Sequence, residues 1–141
     1  MSKKYAMYIG RWQNWHKGHE WLINQQLEKG KNVWVAIRDV PTDENNPKTA
    51  HRVFLDLLEE PFFIENTDRI LISIIPDIES VNWGRGVGYE VNEFYPPEDI
   101  KMISATFIRN SIKEGNDEWK QYVPEVIHTD VYEYLNEFYE L

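Results

Sequence analysis

The chain has no cysteine, so it can form neither disulfides nor thiolate metal sites; any metal must come with oxygen or histidine ligands. No apolar run approaches the ~20 residues that a membrane helix needs. Met1-Ser2-Lys3-Lys4 leads into a short strand-like run rather than a signal peptide. A soluble, cytoplasmic protein with no membrane partner is the expectation. Glycine and proline number only 7 each in 141 residues, and no repeat, low-complexity tract or linker divides the chain, so one domain over residues 1–141 is expected. Positive charge is also in the minority. With 15 Lys and Arg against 24 Asp and Glu, the net charge is -9, which argues against a nucleic-acid partner because phosphate backbones are bound chiefly by basic surfaces.

Apolar material is plentiful. Hydrophobic residues make up 42% and aromatics 14%, with 6 Trp, enough apolar surface to offset the entropy of ordering the chain. The charge is unevenly spread: through Arg52 there are 9 basic against 5 acidic residues, and beyond it 6 against 19. Positive potential therefore gathers in the first third. Composition leaves the oligomeric state open.

Tyr5 to Ile9, Val33 to Ile37 and Ile70 to Ile75 are short, nearly continuous runs rich in β-branched and aromatic residues, the pattern of strands covered on both faces. Between them Trp21, Leu22, Ile23 and Leu27, then Val53, Phe54, Leu57 and Leu58, recur at helical spacing. The alternation predicts an α/β domain: a Rossmann-like, doubly wound parallel sheet with flanking helices and a ligand site beyond the carboxyl ends of the strands. A further strand is expected before Ser104. Val123, Ile127, Val131, Tyr134, Leu135 and Phe138 predict a C-terminal amphipathic helix with Pro124 in its first turn. Arg38 to Lys48 and Asp77 to Pro97 read as loops.

Directly after the first strand comes Gly10-Arg11-Trp12-Gln13-Asn14-Trp15-His16-Lys17-Gly18-His19, and then a helix. A helix N-terminus presents unpaired N–H groups and a partial positive charge, which favour phosphate. His16, His19 and Lys17 can add directed donors, and Arg11 a permanently charged fork. Gly10 permits a sharp turn off the strand, and Gly18 a close approach of the helix backbone to a ligand. Two other readings stand beside this one. Two His three residues apart can meet on one turn as metal ligands, although no carboxylate or third His lies nearby in sequence; both can also be caps or core residues. Ile103-Ser104-Ala105-Thr106-Phe107-Ile108-Arg109 is a second candidate anion site: Ser104 and Thr106 suit a helix start, and Arg109 lies about one turn past Thr106. The plain alternative is a Ser/Thr cap with a solvated Arg.

Taken together the two segments resemble the GRFQPxHxGH and ISxTxxR signatures of the HxGH-motif nucleotidyltransferase superfamily, in the style of archaeal-type nicotinamide mononucleotide adenylyltransferases. Trp12 stands where the family has Phe, and Asn14 where it has Pro. Asn46-Pro47-Lys48-Thr49-Ala50 and Trp119 with Val123-Pro124 also look like family segments. The resemblance implies a triphosphate gripped by His16, His19, Ser104, Thr106 and Arg109, with Arg11 as the basic residue of the first signature. It implies transfer of a nucleoside monophosphate, with ATP favoured over CTP, to a small phosphate-bearing acceptor, nicotinamide mononucleotide being the leading candidate. Mg²⁺ would accompany the nucleotide, held largely by its phosphates and water rather than by protein ligands. Phosphate nearby is expected to favour protonated imidazoles. A cytidylyltransferase acting on a phosphopolyol or phosphoamino-alcohol, and a non-catalytic nucleotide-binding protein of the same fold, are the competing readings.

Weaker features complete the candidate set. Asp39, ending the second strand, is a candidate metal or ribose contact. Trp83 and Tyr89 flank Gly84-Arg85-Gly86-Val87-Gly88, which does not match GxGxxG; they are candidates for stacking on a ring, with core packing or a surface loop as the default. His51 and His128 read as solvated or structural.

Overall fold

In a computed structural model, the chain is described over residues 3–44, 46–97, 105–115 and 117–122, without the side chains of 105–109, 119 and 122. The elements run β1 (Tyr5–Gly10), α1 (Lys17–Leu27), β2 (Asn32–Asp39), α2 (Ala50–Glu59), α3 (Pro61–Glu65), β3 (Ile70–Pro76), α4 (Ala105–Glu114) and a 3₁₀ turn (Glu118–Tyr122). The three strands form a parallel sheet in the order β1-β2-β3. Parallel neighbours require crossovers, and α1 and then α2 with α3 supply them. All three strands therefore end on one edge, at Gly10, Asp39 and Pro76.

The register explains the core. Tyr8, Val35 and Ile72 lie in one row, as do Ala6, Val33 and Ile70, all on the same face. On that face Tyr8, Val33, Val35, Ile37 and Ile70 join Ile23 and Leu27 of α1, Val53 and Leu57 of α2 and Phe63 of α3 in one buried cluster. The tyrosine hydroxyl is satisfied there by donating to the Leu22 carbonyl at 2.8 Å.

On the opposite face the described residues leave apolar side chains in the open. Its next row contains Met7, Trp34 and Leu71, of which Met7 is 43% and Leu71 45% exposed. The apolar runs correspond to the three strands. Among the described residues the architecture is α/β, with α1, α2 and α3 packed on one sheet face. The expected strand before Ser104 and the C-terminal helix with Pro124 lie outside the described residues.

Local chemistry sets the helix ends. Thr49 caps α2 by accepting from the Arg52 N–H at 3.2 Å. Helix α2 stops at Glu59 because Pro61 cannot continue it, and that proline instead takes the first position of the short α3. After α1 the chain reverses through Gly30, whose φ of +79° suits a residue without Cβ. Arg69 then seals the junction by donating to the Leu27 and Lys31 carbonyls at 2.8 and 2.7 Å.

No helix among the described residues is long and apolar enough to cross a membrane. Because Leu57 is fully buried where α2 meets the sheet, Leu57→Ala is expected to lower unfolding free energy by about 3 kcal/mol. Equilibrium urea unfolding measures this directly.

Candidate active site

The connection from β1 to α1 is buried to an extent unusual for a loop. Trp12, Gln13, Asn14, Trp15 and His16 are each 6% exposed or less. Trp12 turns back over the strand end with φ +57°, and a Cβ on Gly10 would lie 3.1 Å from its ring, closer than side chains ordinarily pack. The indole N–H of Trp12 donates to the Ala36 carbonyl on β2 at 3.0 Å. Trp15 packs against Phe62 and Phe63 of α3 and donates to Glu20 Oε1 at 3.3 Å. Gln13 grips the peptide at Lys48 from both sides: its Nε2 donates to the Lys48 carbonyl at 2.7 Å, and its Oε1 accepts from the Lys48 N–H at 2.9 Å.

This frame delivers the two histidines as a pair. His16 is the N-cap of α1 and His19 its third residue. His16 Nδ1 accepts from the His19 N–H, and His19 Nδ1 accepts from the His16 N–H, each at 3.3 Å. It is a capping box made with imidazoles in place of Ser and Glu. The rings stack 3.7 Å apart at 14°, and His19 contacts Trp12 and Trp15, both with ring centres at 5.2 Å. With each Nδ1 serving as acceptor, the neutral tautomer is fixed: the proton resides on Nε2. The pair thus carries two Nε2–H donors. The N–H groups of Lys17 and Gly18, at the first two helical positions, have no carbonyl one turn back to bond.

Burial works against protonation here. It pushes His16 down to about 4, and it holds His19 well below the usual imidazole range, with the charge of a protonated His16 as a second cause. The free loop thus favours neutral imidazoles, while the protonation expected next to phosphate concerns a phosphate-bound site.

The other first-signature residues cluster with the pair. Gly10, Arg11, Lys17 and Gly18 lie on the same strand-to-helix junction, Lys17 exposed. Arg11 stands 3.9 Å from Asp43 in the connection between β2 and α2. That connection also reaches α4, where Glu44 pairs with Lys113 at 2.9 Å. Thr106 and Arg109 belong to α4, but their side chains, and Ser104 altogether, lie outside the described residues. Asp39 is exposed at the carboxyl end of β2, two positions past Ile37, the register partner of Gly10. Trp83 is 47% exposed, and its ring meets Tyr89 edge-on at 6.0 Å rather than the histidine pair. No group of three or more His, Cys, Asp or Glu among the described residues is arranged to hold a metal, and both Nδ1 atoms are already engaged.

Sequence reading missed a buried charge cluster beside the loop. Lys48, 4% exposed, pairs with Asp56 at 2.7 Å, and Arg52 bonds the other Asp56 oxygen at 3.1 Å. Glu60 is fully buried with neither carboxyl oxygen hydrogen-bonded. Burial, followed by the nearby charges of Glu20 and Asp56, pushes its pKa up to about 7, against the pull of Lys48. Arg52 and Asp56, four residues apart, were a readable pair; a lysine with an apolar burial was not.

No family model matches the chain, and no curated protein matches it.

Two opposed pH effects follow. His16 has a depressed folded pKa, so its contribution is present above 6.5 and is lost as pH falls toward 4, up to about 3 kcal/mol. Glu60 has a raised folded pKa, so its contribution is present below 4.5 and is lost as pH rises through 7, by about 2–3 kcal/mol. Urea unfolding between pH 4 and 8 is expected to show Glu60→Gln gaining stability at the alkaline end. His16→Asn, which keeps a capping oxygen, is expected to lose less than the parent at the acid end.

Proposed function

We propose that the chain is a nucleotidyltransferase that moves a nucleoside monophosphate, AMP in preference to CMP, from a nucleoside triphosphate to a phosphate-bearing acceptor and releases pyrophosphate. The observation that carries this reading is the stacked His16–His19 pair with both Nδ1 atoms engaged and both Nε2–H groups fixed as donors at a helix N-terminus. Such an arrangement suits phosphate oxygens and does not suit a metal, whose ligand would have to be an unprotonated ring nitrogen.

In the reaction an acceptor phosphate oxygen attacks the α-phosphorus in line, and the bond from that phosphorus to the oxygen bridging toward the β-phosphate breaks. The electron pair leaves with pyrophosphate. Positioning and charge neutralisation do most of this work, and no protein nucleophile is needed. His16 and His19 donate to α- and β-phosphate oxygens as charge shifts toward the leaving group, assisted by the N–H groups of Lys17 and Gly18. Arriving phosphate charge raises the imidazole pKa values against the effect of burial, so each ring can tighten its grip as negative charge develops. Arg11, Ser104, Thr106 and Arg109 are assigned to the remaining triphosphate oxygens.

Mg²⁺ fits this donor set only as an ion carried by the nucleotide, because the junction offers N–H donors rather than carboxylates; bound there it neutralises phosphate charge. Asp39, at the carboxyl end of β2, is assigned to a metal or ribose contact, and Trp83 to stacking on a base or acceptor ring. Nicotinamide mononucleotide is the first acceptor to test. The finer fold is a doubly wound one, with a second helical layer over the Met7 and Leu71 face.

A pyrophosphate-release assay crossing the four nucleoside triphosphates with a panel of phosphate-bearing acceptors is expected to give turnover with ATP. His19→Ala is expected to lower kcat on the order of a hundredfold, the loss typical of one donor aimed at developing charge, while circular dichroism stays that of the parent. Near-normal turnover in that variant would overturn the assignment. Nucleotide binding without pyrophosphate release across the whole panel would favour a non-catalytic nucleotide-binding protein instead.

A further inference from the structure

Three side chains tie the buried loop of residues 12–15 to three different elements. Trp12 bonds β2 through Ala36, Trp15 bonds α1 through Glu20, and Gln13 bonds the lead-in of α2 through both polar groups of the Lys48 backbone. The third tie differs in kind. It is doubled, and it ends on a residue whose own side chain is a buried cation, 2.7 Å from Asp56 and 4% exposed. A buried ion pair is a poor source of net stability, since its desolvation cost is comparable to its Coulombic gain, and an apolar side chain of similar shape would fill the space at less cost. What the ion pair does supply is one fixed geometry.

That geometry matters because of where the segment leads. The connection carrying Lys48 also carries Asp43, 3.9 Å from Arg11, and Glu44, which pairs with Lys113 of α4. It therefore touches the first signature twice and the helix of the second signature once. We propose that Lys48 is a positioning residue for the imidazole pair: Asp56 fixes its side chain on α2, and its peptide group passes that position through Gln13 to the loop that delivers His16 and His19. The kinetic consequence rests on the nucleotidyl-transfer reading; the structural consequence does not.

Histidine ring ¹⁵N spectra of the full-length chain near neutral pH supply a test that needs no turnover. The parent is expected to show both rings as the single Nε2–H tautomer. Lys48→Met and Gln13→Met are each expected to move both rings toward mixed tautomers, and to lower kcat at least about tenfold with the nucleotide KM changed less than about threefold, as expected for misaimed groups rather than lost binding contacts. If Lys48→Met does not fold, Asp56→Asn, which keeps a neutral hydrogen-bond acceptor for Lys48, decides by the same spectra. Folded variants with cooperative unfolding, parental ring signals and parental kcat would overturn the proposal. A parent without turnover whose rings respond to these substitutions would sink the nucleotidyl-transfer reading and keep this one; an active parent whose rings do not respond would do the reverse.

Discussion

Each of the two imidazoles at the start of α1 gives one ring nitrogen to the other's backbone N–H, and this mutual cap organises the surroundings. It starts the helix, it fixes the ring tautomers, and it leaves the outward nitrogens as donors. A Ser/Glu capping box would satisfy the same two N–H groups without leaving a pair of directed donors behind. The aromatic shell follows from this demand. Two stacked rings must be held without being charged, and Trp12 and Trp15 surround His19 with apolar surface that makes protonation costly. A side chain at Gly10 would press on the Trp12 ring, 3.1 Å from the place of its Cβ, and that ring would have to give.

Electrostatics beside the loop follow a different logic. On one side burial suppresses positive charge on the imidazoles; on the other it suppresses negative charge on Glu60, whose carboxyl oxygens have no hydrogen-bond partner. Between them Lys48 and Asp56 remain as an ion pair because each compensates the other. The two suppressed groups titrate in opposite directions, so the stability tied to Glu60 is lost as pH rises through 7 and that tied to His16 as pH falls toward 4.

Legibility in the sequence tracked the range of the interactions. The three strands and the helices α1 and α2 were readable because each is written in a local period, as with Trp21 to Leu27 and Val53 to Leu58. The His16 to His19 junction was readable because a strand, a glycine and a helix start are adjacent in the chain. Helix α3 was not, being only Pro61–Glu65 and thus shorter than any period test can resolve. Nor was the clamp between Gln13 and Lys48, 35 positions apart, since side-chain-to-backbone contacts at that distance leave no periodic trace. The exposure of Met7 and Leu71 among the described residues left no trace in the sequence, because an apolar residue in a strand does not record which face is covered.

The crowding of two indoles against His19 has an optical consequence. An imidazolium quenches indole emission far more strongly than a neutral imidazole does, so Trp12 and Trp15, with ring centres 5.2 Å from that ring, form a built-in reporter of its charge. Acidification that charges His19 is expected to dim these two indoles, whereas exposed Trp83 lies against Tyr89 instead. The charge of the buried pair is thus open to observation in the unlabelled protein as a change in light.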